Sequence, residues 1–147
     1  FIQKASQVGV DGLIIPDLPL EQYQHLYKAI FEKQKLGISF LITPQTSAKR
    51  IYKLASESSA FLYMVSSYAI TGGDSELESY QRKYFERIDA MELTVPRLIG
   101  FGIKDKSTFQ EASKYANGAI IGSAFIRALE GKSDLNNKVK QFVNSIR

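Results

Sequence analysis

Two glycine-bearing stretches carry the clearest chemical signal in this 147-residue chain: Ile99-Gly100-Phe101-Gly102-Ile103 and Gly118-Ala119-Ile120-Ile121-Gly122-Ser123-Ala124-Phe125. Each couples a short apolar run, the pattern of a buried strand, to glycines at its C-terminal end. The second adds a hydroxyl where a helical stretch opens. A phosphate dianion is held well by backbone N–H groups, a hydroxyl and a helix N-terminus, and glycine lets the backbone come close to it. One Gly-x-Gly alone is a tight turn. Two at successive strand ends point to an anion held where Gly102, Gly122 and Ser123 converge.

Other residues offer less. Thr71-Gly72-Gly73 lies in a small polar stretch, Ser66 to Asp74, longer than a usual connection of about 4–6 residues and suited to a lid over substrate. Tyr63 sits in an apolar run in which Phe61, Tyr63 and Val65 share one face and Leu62 and Met64 the other. Its hydroxyl could meet a buried substrate or simply find a core partner. Asp17 follows a strand-like run and could act as a catalytic carboxylate, cap the next helix or meet a partner. No second carboxylate pairs with it in the sequence. His25, the single histidine, falls in a helical stretch away from the strand ends and reads as a surface residue. No serine–histidine triad and no spacing of metal ligands is visible. Lys49-Arg50 and Arg82-Lys83 read as solvated helix faces.

The elements that must position these residues alternate. Gly12–Ile15 is strand-like and is closed by Pro16-Asp17-Leu18-Pro19, since two prolines so close fit neither a helix nor a central strand. Leu20, Tyr23, Tyr27, Ile30 and Phe31 make one helical stripe to about Lys35, with Gly37 as the stop. Ile38–Ile42 is the next strand, and Ser47 is an N-cap before a helical face of Ile51, Leu54 and Ala55. Phe61–Val65 follows, then a longer helix marked by Leu77, Tyr80, Tyr84, Ile88 and Met91. Arg97–Phe101 is a fourth strand, and Phe109, Ala112 and Ala116 mark a helix ended by Asn117-Gly118. Ala119–Ile121, a short helical piece from Ser123, a turn at Gly131–Asp134 and a last helix with Leu135, Val139, Phe142, Val143 and Ile146 complete the chain.

Strands apolar on both faces that alternate with helices predict a parallel α/β sheet. An open doubly wound sheet and a (β/α)8 barrel both satisfy that order. Glycines at the C-terminal strand ends, above all at the last two, favour the barrel. A barrel needs about 250 residues, so five strand–helix units in one domain, residues 1–147, correspond to its C-terminal five-eighths, with strands 1–3 lying before Phe1. The absence of an initiating methionine agrees with that.

Composition bounds the partners. Lys+Arg of 19 against Asp+Glu of 15 gives a net charge of +4, too little to mark a nucleic-acid binder without clustering. With no cysteine there is neither a disulfide framework nor a thiolate metal site. These residues contain no run of 18 apolar residues and no visible signal peptide, and the cytoplasm is the expected compartment.

The motifs, taken in order, resemble the tryptophan synthase alpha subunit family. Gly9-Val10-Asp11-Gly12 running into Ile15-Pro16-Asp17-Leu18-Pro19-Leu20-Glu21 is similar to that family's fourth strand and loop. Phe40-Leu41-Ile42-Thr43-Pro44, Tyr63 with Ser66 and Thr71-Gly72, Gly100-Phe101-Gly102-Ile103 and Gly122-Ser123-Ala124 match in sequence. The resemblance implies a (β/α)8 barrel and a lyase of tryptophan biosynthesis. That enzyme cleaves indole-3-glycerol phosphate to indole and glyceraldehyde 3-phosphate. It implies no cofactor for this chain and a pyridoxal-phosphate beta subunit as partner in a heterotetramer. By the same resemblance, phosphate contacts fall on Gly72, Gly102, Gly122 and Ser123, with Gly100 beside them. Tyr63, Ile14 and Leu41 line the indole pocket, Thr71 closes the lid, and Pro16, Asp17, Leu18 and Pro19 face the beta subunit. The family's catalytic glutamate and aspartate belong near the second strand, upstream of Phe1, so the 147 residues alone are expected to be inactive.

The lid departs from the family's usual Ser-Arg-x-Gly-x-Thr-Gly. Ser67 stands where arginine is usual and Ala69 where glycine is. This motivates a second reading, an alpha subunit poor at cleavage that activates its beta partner. A third, another phosphate-binding barrel such as an indole-glycerol-phosphate synthase or an aldolase-like lyase, would be expected to show a strand-end lysine or glutamate in these units. None of the first three strands ends with one.

Overall fold

The computed structural model describes residues 1–66, 75–100, 102–131 and 134–146, with no account of the side chains of 75–78. Chain order runs α1 (Ile2–Gln7), β1 (Gly12–Ile14), α2 (Leu20–Gln22), a π-helical turn (Tyr23–Tyr27), α3 (Lys28–Gln34), β2 (Gly37–Ser39) and β3 (Leu41–Ile42). It continues α4 (Ala48–Glu57), β4 (Leu62–Val65), α5 (Ser75–Asp89), β5 (Arg97–Gly100), α6 (Lys106–Ala112), β6 (Gly118–Ile120), α7 (Ser123–Ala128) and α8 (Leu135–Ile146).

Every described strand pair is parallel, β1 with β2 and then β3-β4-β5-β6 in chain order. The segment expected as one strand, Ile38–Ile42, is divided at Phe40. Its first half pairs with β1 and its second half with β4. Phe40 itself accepts from the Tyr63 N–H at 2.8 Å and donates its own N–H to the Ser58 hydroxyl at 3.3 Å. Sequential parallel strands joined by helices are the arrangement of a (β/α)8 barrel, here an arc of five strand positions.

The core lies between the sheet and its helices. Ile38, Ile42, Leu62, Met64 and Ile99 have no exposed surface and meet Phe31, Ile51, Leu54, Tyr84, Phe85 and Ile88 from the helix layer. Tyr23 stands edge-on to both Phe31 and Phe40, with ring centroids 5.5 and 5.3 Å away. At the N-cap of α4, the Ser47 hydroxyl accepts from the Arg50 N–H at 3.4 Å, as the sequence suggested.

Several boundaries differ from expectation. The helix after Pro19 is not stopped by Gly37: Lys35 takes the left-handed conformation at φ 55°, and Leu36 N–H closes back on the Phe31 carbonyl. Gly37 instead opens β2, opposite Gly12. The helix expected to run to Asn117 ends at Ala112, and Asn117 ties the strand start, its Oδ1 accepting from Arg97 N–H at 2.9 Å. Ile30, Tyr80, Leu135 and Val143, placed on apolar stripes by periodicity, are exposed. The short α1 was not expected. Its Ile2 and Ala5 pack on the core, but six residues are too few to show a helical period. Leu77's side chain, residues 67–74, Phe101 and part of the Gly131–Asp134 turn fall outside the described residues.

Candidate functional site

Paired residues on parallel strands share a face. One rung runs Leu41, Tyr63, Leu98, Gly118 and the next Val65, Gly100, Ile120. The rung between them, Ile42, Met64, Ile99, is sealed under the helices. The first two rungs therefore form the open face of the sheet, and their side chains are half-buried. Ile14 continues that face on β1, two residues from Gly12 and 44% exposed, while Leu13 opposite Ile38 faces the helices. The structure thus brings Ile14, Leu41 and Tyr63 onto one surface.

Tyr63 has a specific seat. A β-carbon added at Gly100 would overlap the Tyr63 hydroxyl and ring. The ring therefore leans from β4 across β5 toward the C-terminal ends of the strands, and only glycine leaves room for it. Burial raises the pKa of the Tyr63 hydroxyl further above neutrality. Beyond Gly100, Ser66 N–H donates to the Gly100 carbonyl at 3.1 Å, extending the β4–β5 pairing by one residue.

The anion-binding candidates sit on the same rim. Gly100 and Ile120 are partners across β5 and β6. Gly102 and Gly122 each follow two residues later, so the two loops leave adjacent strands at one level. Gly102 has φ 74°, a backbone that side chains rarely adopt. Gly122 is the N-cap of α7 and Ser123 its first residue; all three are exposed, with open space beside the Gly122 α-carbon. Gly122 and Ser123 thus open α7, where the first N–H groups of a helix have no intrahelical partner.

The loop holding Gly102 is pinned from behind. Asp105 and Thr108 form a reciprocal capping box, with Thr108 N–H on Asp105 Oδ1 at 2.9 Å and Asp105 N–H on Thr108 Oγ1 at 3.1 Å. Lys104 N–H also donates to Thr108 Oγ1, at 3.0 Å. Ile103, between Gly102 and this box, is buried. The loop after β3 is held similarly. The Tyr84 hydroxyl donates to the Ile42 carbonyl at 3.1 Å and Arg87 Nη2 to the Pro44 carbonyl at 3.0 Å. Sequence reading marked Tyr84 only as an apolar stripe and missed this contact, since periodicity carries no information about a ring's polar tip.

Pro16, Asp17 and Pro19 are exposed at the C-terminal end of β1, with Leu18 half-buried. Pro19 is the N-cap of α2 without a side-chain hydrogen bond, so Asp17 is not the cap. His25 is exposed on the π-helical turn, as expected. Thr71 and Gly72, with Ser67 and Ala69, lie outside the described residues. Among the described residues no group of three or more His, Asp or Glu side chains gathers as a metal site, and no helix is long and apolar enough to cross a membrane.

Comparison with known proteins agrees on one family. All of the chain, residues 1–147, matches the family described as Tryptophan synthase alpha chain. The alpha chain of Flavobacterium johnsoniae is 52% identical over 147 residues, covering 100% of this chain and 57% of that protein. That of Christiangramia forsetii is 48% identical over 143 residues, 96% of this chain and 56% of that protein. Among solved structures, the tryptophan synthase alpha subunit of Campylobacter jejuni superposes with a TM-score of 0.78 at 26% identity, covering 100% of this chain and 58% of that one. The tryptophan synthase alpha2-beta2 complex of Pyrococcus furiosus gives 0.77 at 23% identity, covering 99% and 58%. These 147 residues therefore span a little over half the length of the relatives they match.

Proposed function

The chain belongs to the tryptophan synthase alpha chain family, and from that premise we propose that it is the C-terminal part of an alpha subunit that cleaves indole-3-glycerol phosphate in the cytoplasm. The observation that carries this reading is the meeting, on one rim, of Gly102 beyond β5, Gly122-Ser123 beyond β6, and the Tyr63 ring seated on Gly100. In this reading the backbone N–H groups of Gly102, Gly122 and Ser123, with the Ser123 hydroxyl and Gly72, hold the phosphate. Ile14, Leu41 and Tyr63 bound the indole on the open face. Thr71 closes over both.

The reaction is a retro-aldol cleavage. Indole C3 gains a proton, the adjacent glycerol hydroxyl loses one, and the carbon–carbon bond breaks to give indole and glyceraldehyde 3-phosphate. The acid and base for these transfers are assigned to a glutamate and an aspartate upstream of these residues. The part played here is to bind and orient, which lowers the barrier by fixing the reacting centre. No cofactor is assigned to this chain. Pro16–Pro19 is placed against a beta subunit, which carries pyridoxal phosphate and takes up the indole in an alpha2-beta2 assembly.

The test is indole release from indole-3-glycerol phosphate by a full-length alpha chain carrying these residues, assayed with its beta partner. Release supports the reading, and its absence from the complete complex rejects it. Ser67 and Ala69 favour a second reading, an alpha subunit that mainly activates the beta subunit. That reading expects slow cleavage restored by Ser67→Arg with Ala69→Gly. Fast cleavage that the double substitution leaves unchanged eliminates it.

A further inference from the structure

We propose that Lys138, with Phe142 one turn further along α8, is the positioning device of the phosphate grip. The proposal rests on the phosphate reading above and concerns how the α7 side of that site is held. No residue of α7 is buried, and Ile126 is largely exposed. The helix that presents Gly122 and Ser123 is therefore not fixed by the core. It packs instead on α8, and two α8 side chains hold α7 and the residues just after it. The Phe125 ring lies against Phe142 with centroids 5.3 Å apart. Lys138 Nζ donates to the carbonyls of Leu129, Glu130 and Gly131 at 2.9, 2.5 and 2.7 Å.

An ammonium has three N–H donors, and here all three fall on successive carbonyls just past the end of α7. Carbonyls at a helix C-terminus lack intrahelical partners, and a cation there is favoured by the helix dipole as well as by hydrogen bonding. Lys138 and Phe142 are four residues apart and so share one face of α8. α8 is itself secured at both ends. Asp134 accepts from the N–H groups of Asn136 and Asn137 at 3.3 and 3.2 Å, and Ile146 is buried. A helix of six residues is a rigid rod about 9 Å long. Releasing its C-terminal end lets the other end, with Gly122 and Ser123, swing away from Gly102. Lys138 touches no substrate in this account; it acts through α7.

The experiment uses the full-length alpha chain with its beta partner. Lys138→Met keeps the aliphatic stem and removes the cation. It is expected to raise KM for indole-3-glycerol phosphate about 5- to 10-fold while kcat stays within about twofold. Lys138→Arg is expected to keep KM within about twofold of the parent. Affinity for free indole, which has no phosphate, is expected to stay unchanged in both. Ser123→Ala, measured alongside, reports on the grip itself. A raised KM in Ser123→Ala with an unchanged KM in Lys138→Met overturns the clamp and leaves the grip standing. Unchanged KM in both overturns the grip, and the clamp with it. A joint fall of kcat, indole affinity and thermal stability in Lys138→Met gives Lys138 a general structural role and also overturns the proposal. Should Lys138→Met not fold, Phe142→Leu is read by the same criteria.

Discussion

A methyl group at Gly100 would occupy the space filled by the Tyr63 ring and hydroxyl. Gly100→Ala is therefore expected to displace the ring from the open face. Overpacking of this kind costs about 1–3 kcal/mol of stability, but the larger effect belongs to the pocket. Steady-state kinetics on the full-length complex should show kcat/KM for indole-3-glycerol phosphate reduced about 10- to 100-fold. An unchanged value would mean that Tyr63 does not shape the pocket. Asp105 offers a second test at this scale. Hydrogen bonds from the Thr108 N–H, then from the hydroxyls of Thr108 and Ser107, hold its carboxyl below the ordinary value of 3.8. A carboxyl depressed in the folded state stabilises above its unfolded pKa and loses that contribution as pH falls through the lower folded one. A carbon-detected titration should give Asp105 a midpoint below 3.8, and Asp105→Asn should remove this acid-dependent share of stability. A midpoint at or above 3.8 would contradict the capping-box account of the Gly102 loop.

At the scale of elements, Lys35 ends α3 in a left-handed conformation that costs a side chain about 1–2 kcal/mol relative to glycine. Lys35→Gly in the full-length chain is expected to stabilise it by about 1 kcal/mol in denaturant unfolding, since the residue is exposed. A loss of stability would show that Lys35 contributes something its backbone does not reveal. The same residue shows what could be read in advance. Strand order, the Ser47 cap and the two faces of β4 followed from apolar spacing and turn chemistry, because burial imposes those patterns directly. The stop at Lys35 did not, because nothing local marks a lysine for φ 55° while Gly37, two residues on, carries the usual signal. Exposed Ile30, Tyr80, Leu135 and Val143 were misplaced for a related reason: a stripe records which face is apolar, not whether another element reaches it. The site itself was legible through its glycines. Of these, Gly100 is demanded by space and Gly102 by its φ of 74°, whereas Gly122 has open space beside it. The supports of the site were not legible: Tyr84 and Arg87 reach carbonyls 42 and 43 residues away and Lys138 reaches carbonyls 7–9 residues away, contacts that leave no mark on apolar spacing.

Taken whole, the described strands form an arc whose outermost members, β1 and β6, are each paired along only one flank. A barrel removes such edges by closing on itself, and an open parallel arc exposes both a template for association and one apolar face. The 147 residues expressed alone are expected to self-associate or to unfold without a single cooperative step, as read by light scattering and thermal melting. A monomer with one sharp transition would contradict that. The account's central claim is that backbone N–H groups at two neighbouring strand ends hold a phosphate, and amide chemical shifts test it most directly. Glycerol 3-phosphate added to the isotope-labelled full-length alpha chain is predicted to move the N–H signals of Gly102, Gly122 and Ser123 together, along one saturable curve. Shifts confined to other parts of the chain, or none at saturation, would contradict it.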